Sequence, residues 1–189
     1  MPNFFSAFTS EVFRPIATLI IPGAIGISTW FVALLWSFAN LKSLVAENHT
    51  ETGFVLLLAM IFAGLMFEDA GSHWESWLDS RADKKNKVHI RQWHEYLRTA
   101  FKADPIGRRY LRTLVLKLKF ELGVAFSMLS AVLGLVWLAY LGLPSKIAFI
   151  SGCVCAGFAA WCLLEACQTH NVLGAIRAEL LKEIRIIGS

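Results

Sequence analysis

Four long stretches of the chain contain no charged residue, and they divide the sequence into membrane and non-membrane parts. Residues 15–41, 52–67, 122–145 and 147–164 lack Lys, Arg, Asp and Glu and are rich in aliphatic and aromatic side chains. A bilayer core of roughly 30 Å is crossed by about 20 apolar helical residues. Two stretches exceed this length and two fall slightly short of it. The pattern therefore predicts an all-α membrane protein with four transmembrane helices.

The alternation of polar and apolar segments predicts five consecutive parts of the chain. They are an interfacial amphipathic helix over 1–14, a first transmembrane hairpin over 15–78, a cytoplasmic helical segment over 79–120, a second transmembrane hairpin over 121–167 and an amphipathic tail helix over 168–189. Apolar residues at helical spacing indicate a first cytoplasmic helix at about 82–102. Asp104 and Pro105 are typical of a helix N-terminus, and no helix breaker follows until Gly142-Leu143-Pro144. A single helix of roughly 35 residues is therefore expected to include span three.

Small residues inside the apolar stretches predict where helices come close together. The segment Pro22-Gly23-Ala24-Ile25-Gly26 of span one favours a kink or a close helix crossing. Small residues also recur at every fourth position in spans three and four, and such ladders let helices pack closely in lipid. They are Gly123, Ser127 and Ala131 in span three and Gly152, Ala156 and Ala160 in span four. The two ladders predict a tight hairpin.

Charge is distributed unevenly among the segments that connect the spans. Residues 68–121 contain 12 of the 18 Lys and Arg residues, whereas only Lys42 separates spans one and two and only Lys146 separates spans three and four. The positive-inside rule then places both termini and the central segment in the cytoplasm. The composition, 56% hydrophobic and 17% charged, also differs from that of an average soluble domain. We expect a multi-pass protein of the bacterial inner membrane.

Carboxylates and imidazoles recur at the predicted cytoplasmic ends of spans two and four. In both places a Glu precedes a His by five residues, and a further Glu enters span three at the same predicted depth. The set comprises Glu68, Asp69, His73, Glu121, Glu165 and His170. Such groups suit a divalent metal, a catalytic centre or a proton relay. Positions five residues apart lie about 140° apart on a helix, however, so neither Glu–His pair shares one helix face.

The same carboxylates and histidines can also have a purely structural role, in which they anchor the helices against Lys117, Lys119 and Arg112. The basic residues on the helix leading into span three have two interpretations of their own. They are Arg108, Arg109, Arg112, Lys117 and Lys119. They either bind anionic membrane lipids or form a docking site for an acidic partner or a nucleotide. No metal, cofactor or specific nucleic acid is predicted.

The end of the chain carries an apolar stripe on one face of a helix. Its members are Leu173, Ile176, Leu180, Ile184 and Ile187. A stripe of this kind is covered by the cytoplasmic helices, by another subunit or by a partner. Four cysteines also lie on or just beyond span four, at 153, 155, 162 and 167, and none forms a Cys-x-x-Cys pair. We interpret them as packing residues.

The layout of four spans, a polar segment of about 50 residues and an amphipathic tail resembles the small four-span membrane subunits of bacterial anti-phage defence systems, such as that of Kiwa. The resemblance concerns layout, carries over no functional residue and implies a role in phage defence. The uncharged spans, the small-residue ladders and the tail stripe favour a non-enzymatic, homo-oligomeric scaffold or effector that docks a cytosolic partner. The alternative is a membrane enzyme, or a metal or proton site, built from the carboxylates and histidines.

Overall fold

The computed structural model describes residues 16–86 and 106–187 of the chain. A π-helical turn, Ile16–Ile20, leads into five α-helices. These are α1 (Ile21–Ser37), α2 (Ala39–Glu47), α3 (His49–Asn86), α4 (Ile106–Tyr140) and α5 (Ser145–Ile187). The N-terminal helix predicted over 1–14 lies outside the described residues. So does the helix predicted at about 82–102 beyond residue 86.

Four helical segments are long and apolar enough to cross a membrane. They are Thr18–Ser37, His49–Arg81, Tyr110–Tyr140 and Ser145–Ile176. Large apolar side chains cover their outer surface, and Phe62, Leu133 and Phe149 are each more than 60% exposed. Exposed apolar area on this scale is typical of a surface that contacts lipid. For the described residues, the predicted all-helical structure with four helices able to cross a membrane is confirmed.

The connection between the first two spans is itself helical, which the sequence did not predict. Phe38 has an extended backbone that separates α1 from the nine-residue helix α2. At the other end of α2, the Asn48 side-chain amide donates a hydrogen bond to the carbonyl oxygen of Leu44 at 3.1 Å. The backbone amide of Asn48 donates to the same oxygen at 3.0 Å, so the side-chain bond is a second contact at the end of α2.

The last three helices are longer than the bilayer requires. α3 continues to Asn86, beyond Leu78, to which the sequence pattern extended this helix. α4 has 35 residues, which confirms the length expected from the absence of a helix breaker. It ends where Gly142 adopts a positive φ of 104°, and the amide of Leu143 then donates to the carbonyl of Leu138. α5 runs for 43 residues without interruption.

α4 is the central helix of the bundle. In its most apolar segment 44% of the residues are buried, compared with 11% for α3 and 17% for α5. Leu118 and Leu122 of α4 form a buried cluster with Ala166 of α5, and Trp74 of α3 packs against it. α4 therefore packs against each of the other three long helices.

α1 and α3 cross at two glycines, without room for a side chain at either. A Cβ atom on Gly23 would overlap the carbonyl oxygen of Met60, and one on Gly64 would overlap the carbonyl oxygen of Leu19. The close crossing predicted from Pro22-Gly23-Ala24-Ile25-Gly26 is confirmed. The sequence did not indicate Gly64 as the partner in this crossing.

The ladder predicted in span three is buried, but it does not pack only against span four. Gly123, Ser127 and Ala131 are all buried in α4. A Cβ atom on Gly123 would lie 3.4 Å from Cγ of Pro22, which belongs to α1. This face of α4 therefore approaches span one.

The ladder predicted in span four is wrong. Ala156 and Ala160 are exposed, and a Cβ atom on Gly152 would meet nothing within 4 Å. A four-residue repeat advances about 40° around a helix at each step, so such a ladder drifts away from a straight neighbour. In the middle of α5 the small buried residues are instead Ala159, Cys162 and Ala166, at spacings of three and four. Of the cysteines, Cys162 is buried as expected, whereas Cys153 is exposed.

Candidate functional site

The charged residues predicted as site candidates lie where the long helices leave their apolar spans. We call the group formed by Glu68, Lys117, Lys119, Glu121, Glu165 and Thr169 the polar layer. It contains residues of α3, α4 and α5, on the side of the bundle where α3 ends, α4 begins and α5 ends. We call this side the basic end. The ion pairs within the polar layer determine which candidate side chains are free to bind a ligand or a metal ion.

Lys117 joins α4 to α5. Its Nζ lies 2.9 Å from Oε1 of Glu165 and 3.3 Å from Oε1 of Glu121. The Glu121 side chain is only 9% exposed, and its other oxygen accepts a hydrogen bond from Oγ1 of Thr169 at 3.0 Å. A buried carboxylate is tolerated where it is both paired and hydrogen-bonded, and Glu121 has both kinds of partner.

Lys119 joins α4 to α3. Its Nζ donates to Oε1 of Glu68 at 2.9 Å, and both side chains are partly buried. Because residues two positions apart on a helix project about 200° apart, Lys117 and Lys119 leave α4 on opposite sides. The two lysines thus attach the central helix α4 to α5 on one side and to α3 on the other.

The two histidines have separate environments. Nε2 of the buried His170 lies 2.9 Å from Oδ1 of Asp79, which links α5 to α3. The His73 side chain, in contrast, is 80% exposed and lies 3.8 Å from the exposed Asp69 carboxylate. As predicted from the five-residue spacing, the Glu and His of each pair do not share a helix face. Each Glu of a pair contacts a lysine, and its His points elsewhere.

The structure therefore divides the six carboxylate and histidine candidates among several contacts. Within residues 16–86 and 106–187, no group of three His, Cys, Asp or Glu side chains is placed to hold a metal ion. The carboxylates of the polar layer face lysines or a hydroxyl group. The geometry of the layer is that of an interhelical anchor, as one of the two sequence interpretations proposed.

The other candidate residues are placed as follows. Arg112 is exposed on α4, whereas the side chains of Arg108 and Arg109, in the first turn of that helix, lie outside the described part of the chain. Leu173 is buried against the rest of the chain and Ile176 is partly buried. The side chains of Leu180, Ile184 and Ile187 also lie outside the described part.

Two residues of this region, Asp79 and Thr169, were missed by the sequence reasoning. Both had a detectable signal. Asp79 follows Glu68 by 11 residues, which is three helical turns and therefore the same face of α3. Thr169 follows Glu165 by four residues and shares its face in the same way. A search for polar residues on one face of each helix would have found both.

The comparisons with known proteins add no family to this geometry. No family model, curated protein or solved structure matches the chain.

Proposed function

We propose that this chain is a membrane scaffold or effector that presents a rigid helical extension to a cytosolic protein partner. The supporting observation is the length of the helices beyond the polar layer. At 1.5 Å per residue, α3 extends about 27 Å past Glu68, α4 about 22 Å past Glu121 and α5 about 33 Å past Glu165. The headgroup region adds only about 5 to 8 Å on each side of the hydrocarbon core. All three helices thus extend past the lipid headgroups.

We call residues 69–86, 106–120 and 166–187 the basic extension. Leu111, Leu114 and Leu118 are buried along α4, and Leu173 is buried on α5. The bond between His170 and Asp79 fastens α5 to α3 within the same region. A packed apolar face and a polar link hold the three helices in fixed positions, which is what a docking surface requires.

The surface of the basic extension carries the side chains that commonly dominate protein–protein interfaces. Tyr110 and Arg112 are exposed on α4. On α3, the guanidinium carbon of the exposed Arg81 lies 5.0 Å from the ring centroid of Trp77. Tyr, Trp and Arg are enriched among interface residues with large binding contributions. The exposed arginines favour a partner with an acidic surface.

We also propose for this chain the membrane orientation, the cellular location and the oligomeric state that the sequence predicts. The positive-inside rule supports a bacterial inner-membrane protein with both termini in the cytoplasm. The low buried fractions of α3 and α5 leave wide apolar faces that a second copy can cover, which supports a homo-oligomer. The resemblance of layout supports a role in phage defence. In this proposal the polar layer fixes the extension to the spans.

The partner is tested by native mass spectrometry of the full chain, extracted in mild detergent after co-expression with its genomic neighbours. We expect a defined oligomer that carries one cytosolic protein in fixed stoichiometry. The double variant Tyr110→Ala/Arg112→Glu should lose this protein, whereas Lys146→Glu at the opposite end should retain it. A lone subunit that carries stoichiometric metal, lost on His73→Ala or His170→Ala, would instead support the enzyme or metal-site alternative.

A further inference from the structure

A cavity of about 620 Å³ lies between α1, α2 and α3, far from the polar layer. Apolar side chains form most of its wall, including Trp30, Phe31, Leu44, Leu56 and Ala59. The volume is within the range of sites that bind small ligands, roughly 300 to 1,000 Å³. Walls of this composition fit hydrocarbon better than water, because a cavity without polar partners does not hold ordered water.

The charged and most polar groups of the cavity are grouped where α2 meets α3. They are Asn48, Glu51 and Thr52. Glu51 precedes Glu68 by 17 residues, or about 26 Å along α3, which is close to the thickness of a hydrocarbon core. The polar end of the cavity therefore lies at one membrane surface and its apolar body lies within the bilayer. A membrane lipid has the same arrangement, with a polar head at the surface and a chain below it.

The residues at the polar end of the cavity favour a ligand group that is positively charged. Glu51 is exposed there, and the described residues that line the cavity include no lysine or arginine. The Asn48 amide nitrogen already donates to the carbonyl oxygen of Leu44, which leaves the side-chain oxygen of Asn48 as an acceptor. A head with N–H donors and a positive charge complements these groups, whereas an anionic head is repelled by the Glu51 carboxylate.

We propose that this cavity binds one acyl chain of an amine-headed phospholipid, with the ammonium group of the head against Glu51. This inference is independent of the partner that docks on the basic extension. A second hollow of about 430 Å³, between α4 and α5, provides a contrast within the same molecule. Its lining includes Leu135, Phe149 and Gly152 but, within the described part of the chain, no charged residue. Lipid that occupies this second hollow has no charged group to select its head.

The test is lipid retention by the purified full chain. The protein is stripped of lipid in mild detergent, incubated with equal amounts of phosphatidylethanolamine and phosphatidylglycerol, and measured by native mass spectrometry. We expect one retained lipid per chain, with phosphatidylethanolamine favoured about two- to five-fold, as for an exposed ion pair. Glu51→Gln should reduce this preference to about one-fold. Glu47→Gln, at an exposed position that does not line the cavity, should keep it.

A second pair of variants tests the apolar body of the cavity. Ala59→Phe should obstruct it and weaken retention of the lipid, whereas Ala160→Phe, on an exposed face of α5, should leave retention unchanged. Thermal unfolding shows whether Ala59→Phe is folded, and if it is not, the Glu51 pair decides alone. The proposal would be overturned if both Phe variants lost the lipid equally, or if Glu51→Gln kept the preference for phosphatidylethanolamine. It would also be overturned if the chain formed a dimer that retained no lipid.

Discussion

The helices of this bundle are held together by two different kinds of contact. Within the apolar spans, α1 approaches α3 at Gly23 and Gly64 so closely that neither position accommodates a side chain. At the basic end, Lys117 and Lys119 join α4 to its neighbours through ion pairs. We call the first the glycine crossing and keep the name polar layer for the second. The comparison shows what each environment permits.

The difference follows from the solvent that surrounds each contact. Lipid tails are as apolar as leucine, so burying apolar area gives little attraction between helices inside a bilayer. Close packing of small residues is then the effective means of association. At the membrane boundary water is present, and an ion pair fixes the rotation of each helix through the direction of its side chains. The glycine crossing therefore sets how close helices come, and the polar layer sets which faces meet.

The largest effect is expected at the glycine crossing. Gly23→Ala places a methyl group where the carbonyl oxygen of Met60 already lies, and the backbone cannot move aside as a flexible side chain can. We expect a loss of about 3 kcal/mol in the free energy of unfolding, at the upper end of typical overpacking costs. Denaturation in detergent followed by circular dichroism measures it. Gly157→Ala is the matched control, because a Cβ atom there meets nothing within 4 Å. Equal effects of the two variants would contradict the crossing.

A smaller loss is expected from the buried side of the polar layer. Thr169→Val removes the hydroxyl that donates to Glu121 and leaves that buried carboxylate oxygen without this partner. We expect about 2 kcal/mol of destabilisation, typical of a hydrogen bond to a charged group. Thr169→Ser keeps the hydroxyl and should restore most of the stability. The Thr169→Val effect should also be strongly non-additive with Glu121→Gln. An additive double variant would show that the two side chains act independently.

The link between His170 and Asp79 is expected to contribute less. Asp79→Ala removes a partly exposed acceptor from the buried imidazole, at a cost of about 1 kcal/mol. The local consequence is faster amide hydrogen exchange near residues 76–86, because this bond fastens the end of α3 to α5. Asp69→Ala, at a position that is 77% exposed, should change exchange little. The prediction fails if the two aspartate variants exchange alike.

The smallest effect is expected from hydrogen bonds inside the membrane. Trp30 donates from Nε1 to the backbone oxygen of Ser130 at 3.2 Å and to its hydroxyl at 3.1 Å. Trp30→Phe should destabilise the protein by about 0.6 kcal/mol, the average for interhelical hydrogen bonds in lipid. Ser130→Ala leaves the backbone acceptor in place, so its effect through this pair should be smaller still. An effect of Trp30→Phe as large as that of Gly23→Ala would remove the distinction between the two kinds of contact.

The spans and the length of α4 were predictable from the sequence because each depends on local information. A stretch without charge needs no knowledge of its neighbours, and a helix continues until a residue such as Gly142 allows it to turn. Lys117 and Lys119 were expected to anchor the carboxylates, but which lysine pairs with Glu165 and which with Glu68 was not predictable. It depends on the rotation of three helices about their axes, which no single segment specifies. Gly64 was missed for the same reason, since its partner lies on another helix.

The uninterrupted length of α4 has a mechanical consequence. The helix spans about 52 Å from the basic extension to the opposite side of the bundle, so a 5° tilt about one end moves the other by about 4 to 5 Å. A rigid helix of this length would act as a lever, and its contacts with α1 and α5 would pass the displacement to those two helices. A load applied at one end of α4 would then reach the other end as motion of the whole helix, without unwinding any of its turns.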